Sequence, residues 1–127
     1  MIAKILWAFI IAIIIYVYSG GNEFNIPFNL FYGSDKLMHA LAYGLLATFI
    51  VRIPFNKPLI YNLIFATLLA SIYGLFNEFR QSYIPSREFE IYDGVSNAIG
   101  AFIASSFYTG SNRYRSLIEL KLFYIKK

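Results

Sequence analysis

The chain has 127 residues, 58% of them hydrophobic and only 14% charged, a composition too apolar for a water-soluble domain of this length. It contains no cysteine, which excludes disulfides, thiol catalysis and thiolate metal sites. The formal net charge of +4 comes from bases that flank apolar runs and belong to no nucleic-acid motif, so the expected partner is a membrane and not a nucleic acid.

Taken in order, the sequence predicts a single all-α membrane domain over 1–127, a polytopic bundle of four transmembrane helices followed by an interfacial amphipathic helix. The first helix is predicted over about 2–18, apolar except for Lys4 and ending in Tyr16 and Tyr18, residues suited to a membrane interface. A secretory signal peptide is the rival reading, with Lys4 as its basic start and Ser19-Gly20-Gly21 near the cleavage point. Residues 20–34, with Pro27 among Gly, Asn and aromatics, read as an external loop or shallow interfacial segment. The second helix is predicted over about 35–53, with Ser34 or Asp35 placed to cap it. A turn holding Arg52, Pro54, Asn56, Lys57 and Pro58 leads to a third helix over about 59–83, stopped by Pro85. A charged loop over 84–91 precedes a fourth helix over about 92–108, whose Gly, Ala and Ser allow close packing. The tail, 112–127, interleaves Arg113, Arg115, Lys121, Lys126 and Lys127 with apolar residues, the pattern of a basic-edged interfacial helix. No internal repeat is present.

Four spans put Lys4, Arg52, Lys57, Arg113, Arg115, Lys121, Lys126 and Lys127 on one side and Lys36, Arg80 and Arg87 on the other. This excess of eight over three predicts both termini in the cytoplasm. The stretch Asn77–Gly100, densely polar between two apolar runs, then faces the extracytoplasmic space.

Helical spacing selects which of its groups meet. Asp35, His39 and Tyr43 share a face of the second helix; Gly74, Glu78 and Gln81 share one on the third; Asp93, Asn97 and Gly100 share one on the fourth. Polar faces are unsatisfied against lipid and should turn inward, with Gly74 and Gly100 permitting close approach. Asn97 and Gln81 suit an interhelical hydrogen-bond network, Arg80 suits a solvated interfacial charge, and Tyr43 suits packing. Ionisable Glu78 and His39 inside a membrane are functional candidates.

The pattern Asp35-Lys36-x-x-His39-x-x-x-Tyr43, Glu78-x-x-Gln81-x-x-x-Pro85-x-Arg87 and Asp93-x-x-x-Asn97-x-x-Gly100 resembles the VanZ-like family of small bacterial membrane proteins, over roughly residues 35–104. Two departures stand out: Asn77 where many relatives carry Asp, and Pro85-Ser86-Arg87 where some carry Pro-Gly-Arg. The resemblance implies a multi-pass protein of the bacterial cytoplasmic membrane, associated with the cell envelope and with resistance to the lipoglycopeptide teicoplanin. The partners it suggests are membrane lipids and a lipid-linked cell-wall intermediate or lipoglycopeptide. It names no cofactor.

Two functional classes fit these residues. In the preferred one, Asp35, Lys36, His39, Glu78, Gln81, Arg87, Asp93 and Asn97 bind a polar or anionic headgroup, with Lys36 and Arg87 supplying positive charge. In the other the protein is a membrane enzyme, a hydrolase or transferase acting on an envelope lipid, with His39 or Glu78 as acid-base catalyst or with Asp35, His39, Glu78 and Asp93 as candidate metal ligands.

Overall fold

In a computed structural model of the chain, residues 1–20, 34–55, 58–85 and 88–119 are described. They form five helices and, among the described residues, no strand: α1 (Ile2–Gly20), α2 (Ser34–Val51), α3 (Leu59–Gln81), α4 (Ile91–Gly110) and α5 (Asn112–Glu119). The four expected long helices are all present, within two residues of their predicted limits. The loop over 21–33 and the basic tail over 120–127 lie outside the described residues. Two of the helices, α1 and α3, are long and apolar enough to cross a membrane.

The core combines large residues of α2, namely Tyr43, Leu46, Phe49, Ile50 and Val51, with mostly small and polar residues of α3 and α4. On α3 the buried side runs Asn62, Ala66, Ala70, Gly74, Asn77, Glu78 and Gln81, a stripe at steps of three and four. On α4 it runs Asp93, Gly94, Asn97, Gly100, Ala101, Ser105 and Tyr108. Large apolar residues point away: Ile60, Ile64, Leu68, Ile72 and Phe79 of α3, Val95, Ile99, Phe102 and Phe107 of α4, and Leu37, Leu41 and Leu45 of α2 are all exposed. A helix arranged to bury its apolar stripe in water would have the reverse pattern.

The most extensive interface joins α2 to α4, followed by α3 with α4. Its closest point is Gly100, where an added Cβ would stand 2.1 Å from the Ala40 carbonyl oxygen. Gly44 lies alongside, its virtual Cβ 3.1 Å from the Gly100 oxygen. Gly74 does the same for α3, leaving room for the Asn97 side chain, whose Nδ2 would be 2.8 Å from an added Cβ. The predicted roles of Gly74 and Gly100 in close approach therefore hold.

Although it is mostly exposed, α1 is fastened to the bundle along its length. The Tyr73 hydroxyl donates to the Ala12 carbonyl at 2.6 Å, Arg80 Nη2 donates to the Tyr16 carbonyl and to Ser19 Oγ at 2.7 Å each, and Lys4 pairs with Glu119 at 3.0 Å. Arg80 also lies over the Tyr16 ring, 3.8 Å from its centroid. The expectation of a merely solvated Arg80 is thus corrected: its guanidinium links α3 to the last turn of α1.

Candidate functional site

One end of the bundle assembles the N-terminal turns of α2 and α4 with the C-terminal turns of α3. Each contributes ionisable groups from its turns at that end.

Lys36 is the first centre. Its Nζ donates to Asp35 Oδ2 at 2.9 Å, to Asp93 Oδ1 at 2.5 Å and to Glu90 Oε2. The predicted role of Lys36 as a positive charge available to a ligand is therefore corrected, since three carboxylates already surround the ammonium. Glu90, just before α4, escapes a reading based on helical periodicity because it lies on the loop side of the helix start.

His39 is the second centre. Its Nδ1 lies 3.0 Å from Asn97 Oδ1 and 3.9 Å from Glu78 Oε1, and its Nε2 lies 3.4 Å from Asp93 Oδ2. Asp93 thus divides its two oxygens between Lys36 and His39. Glu78 is 2% exposed and Asn97 fully buried, yet Glu78 Oε2 and Asn97 Nδ2 have no hydrogen-bond partner among the described residues. Arg80 Nε, Ser105 Oγ and Thr67 Oγ1 are also unpartnered. The Arg80 guanidinium is bonded through Nη2, and the other two are neutral hydroxyls, for which the cost of burial is far below that of a carboxylate.

Six of the eight predicted binding residues, Asp35, Lys36, His39, Glu78, Asp93 and Asn97, meet in this network. Gln81 is buried but makes no side-chain hydrogen bond to another described residue. Arg87 lies outside the described residues. The four metal candidates separate into two sets: His39, Glu78 and Asp93 each offer a ligand atom within 4.8 Å of the others, whereas Asp35 groups with Glu90 and Asp93 around Lys36. Tyr43, read as packing, also accepts a hydrogen bond from Asn77 Nδ2 at 2.9 Å, while Asn77 Oδ1 faces Arg80 Nη2 at 3.4 Å. Position 77 thus works as an amide, donating on one side and accepting on the other.

No protein-family model, no curated protein and no solved structure matches the chain.

The opposite end holds a second cluster that the sequence did not reveal. Glu119 of α5 accepts from Lys4 of α1 (3.0 Å), from Arg52 Nε after α2 (3.2 Å) and from the Tyr108 hydroxyl of α4 (2.8 Å). Burial acts to raise its carboxyl group's pKa, but the hydrogen bonds from Lys4, Tyr108 and Arg52 outweigh it and hold the carboxyl below its ordinary 4.5. Arg52, in the turn after α2 as expected, is only 4% exposed. Arg115 of α5 completes this end by donating to the Tyr108 and Thr109 carbonyls at 3.4 and 3.3 Å, two of the acceptors that α4 leaves open at its C-terminus. A shallow apolar depression lined by Phe102, Ile103, Ser106 and Phe107 lies on α4 away from the polar cluster.

Proposed function

We propose that the chain is a VanZ-like protein of the bacterial cytoplasmic membrane, with α1 to α4 as spanning helices, both termini cytoplasmic, and an extracytoplasmic site around His39, Glu78, Asp93 and Asn97. In this reading the site receives the polar headgroup of an envelope lipid or a lipid-linked cell-wall intermediate, and the protein is an accessory envelope or glycopeptide-resistance factor. Two features support the membrane placement. Large apolar residues face outward on α3 and α4 while mostly small and polar ones face inward, α1 is apolar and almost wholly exposed, and hydroxyls such as Thr48, Ser71 and Thr109 bond back to their own helix carbonyls. The resemblance is supported by the convergence of motif residues from three separate helices.

The observation that carries the binding reading is the pair of buried, unpartnered groups, Glu78 Oε2 and Asn97 Nδ2, one an acceptor and the other a donor. A purely structural network would be expected to satisfy its own members. The charge balance refines the ligand: among the described residues Lys36 pairs with Asp35, Glu90 and Asp93, whereas Glu78 pairs with no lysine or arginine and has only His39 beside it, at 3.9 Å. The part of the ligand that reaches Glu78 therefore carries hydrogen-bond donors or positive charge.

The test has two arms. Because the chain lacks cysteine, a single cysteine at Tyr83 should react with an impermeant thiol reagent in intact cells, and one at Arg113 should react only after lysis. Native mass spectrometry of protein purified in mild detergent should then find a retained envelope lipid that Glu78→Gln releases. The reverse labelling pattern overturns the topology, and retention equal in wild type and variant overturns the site.

A further inference from the structure

The two acidic groupings at the site end differ in one respect. Asp35, Glu90 and Asp93 already enclose a cation, the Lys36 ammonium. Of His39, Glu78 and Asp93, Asp93 meets Lys36 only through its other oxygen, and Glu78, 2% exposed and 3.9 Å from His39 Nδ1, pairs with no lysine or arginine among the described residues. Arg80, close to Glu78 in sequence, is turned away to Tyr16, Ser19 and Asn77. A buried carboxylate without a compensating charge is among the costliest arrangements a protein can hold.

The imidazole supplies an independent observation. Asn97 Oδ1 can only accept a hydrogen bond, so His39 Nδ1, 3.0 Å away, carries the hydrogen. In the neutral ring Nε2 is then a bare lone pair, and it faces Asp93 Oδ2, itself an acceptor, at 3.4 Å. Two lone-pair atoms facing one another repel unless a proton or a cation lies between them. The separation is long for a direct N–H···O bond, which prefers about 2.7–3.2 Å. It matches two ligands of a tetrahedral ion, which at bond lengths of about 2.1 Å stand about 3.4 Å apart. The Nδ1–H to amide carbonyl contact is also the orienting bond that metal-bound histidines make with their second nitrogen.

We propose that His39 Nε2, Asp93 Oδ2 and Glu78 form a binding site for a divalent transition-metal cation of the Zn2+ class. Asn97 is a positioning residue that fixes the ring, and Lys36 aligns Asp93 by holding its other oxygen. One imidazole with two carboxylates suits Zn2+ better than Mg2+, which takes oxygen ligands and keeps its waters. Three protein ligands leave a fourth position open to water or to a ligand oxygen. The ion supplies the positive charge that Lys36 cannot offer, so an acidic pocket can still receive an anionic group. This inference rests on the same cluster as the headgroup reading but not on a lipid being the ligand.

The experiment uses the full chain without an affinity tag, purified in detergent, stripped with a chelator and dialysed against micromolar Zn2+. About one zinc per chain is expected by elemental analysis, with a rise in melting temperature. His39→Ala, Glu78→Gln and Asp93→Asn should each weaken binding at least about tenfold, and Asn97→Ala by about 10–100-fold, the effect typical of outer-shell partners. Glu88→Gln, an exposed acid at the same end, should bind as the wild type does. X-ray absorption on the zinc-loaded wild type needs no variant and should detect one imidazole among oxygen ligands. Wild-type protein that takes up no zinc, or a zinc sphere without imidazole, overturns the proposal. It would assign instead a reversed Asn97 amide, with Nε2–H donated to Asp93. A zinc-free protein that still retains lipid overturns this proposal alone, and a zinc-bound protein that retains none overturns the headgroup reading alone.

Discussion

The two ends of the bundle solve the problem of buried charge in opposite ways. At one end a single carboxylate, Glu119, gathers donors from Lys4, Arg52 and Tyr108, so four chain segments are tied by one acceptor. At the other, four carboxylates converge on one ammonium and one imidazole, and a buried oxygen of Glu78 is left over. The first is a closed account of donors and acceptors, as expected of a structural tie. The second is open at Glu78, and an unpaired strong acceptor in a dry place is how a binding site differs from a clasp.

The largest effect should come from the segment between the two ends. Gly100→Ala would drive a Cβ into the Ala40 carbonyl, a backbone atom with no rotamer to yield, so destabilisation at or above the top of the roughly 1–3 kcal/mol range for overpacking is expected. Thermal unfolding in detergent should show both ends failing together; if only the site end loosens, the bundle is not a single unit.

Next comes the tie itself. Glu119→Leu withdraws the carboxylate from buried Arg52 and from Lys4, and should cost about 1–3 kcal/mol, less than the 3–5 typical of a fully buried pair because the Glu119 side chain is a third exposed. Zinc uptake and lipid retention should survive at a temperature where the variant is folded. Loss of either would mean that the far end belongs to the function.

Glu78→Gln is the mirror test. It replaces a buried carboxyl group by an amide of the same shape, so stability should change by no more than about 1 kcal/mol in the apo protein while ligand binding falls. A loss of stability exceeding that of Glu119→Leu would make this end structural too and erase the contrast.

The smallest effect is a pH dependence. Because Glu119's folded value lies below 4.5, the carboxylate contributes stability that is fully present above about pH 4.5 and lost as the pH falls through the folded value. The difference in melting temperature between wild type and Glu119→Gln should accordingly be constant above pH 5 and shrink below it. A difference that persists unchanged to pH 3 would show that Glu119 acts through packing alone.

Much of this architecture was legible in the residues. Long apolar runs ended by Pro58, Pro85 and polar clusters place α1 to α4, and steps of four bring Asp35 with His39 and Asp93 with Asn97 onto single faces. Periodicity can say which residues share a face, but not how far each helix is rotated or advanced against its neighbour. That is why periodicity leaves Lys36, one position off the Asp35–His39 face, as a ligand-facing cation and passes over Glu90. The Glu119 cluster escaped for the same reason: its members are drawn from α1, α4, α5 and the turn after α2, and share no helical face. Its one trace in the sequence is that Glu119 is the sole acid on the basic side.

The contact of Gly100 with the Ala40 carbonyl bears on more than stability. It lies one residue from His39 and one turn from Asn97, so main chain resting on main chain acts as a gauge block for the site. Side chains elsewhere in the interface can vary in size and rotamer without altering that spacing. The separation of His39 from Asp93 is thereby set by atoms that every sequence possesses, conditional on a single missing methyl group.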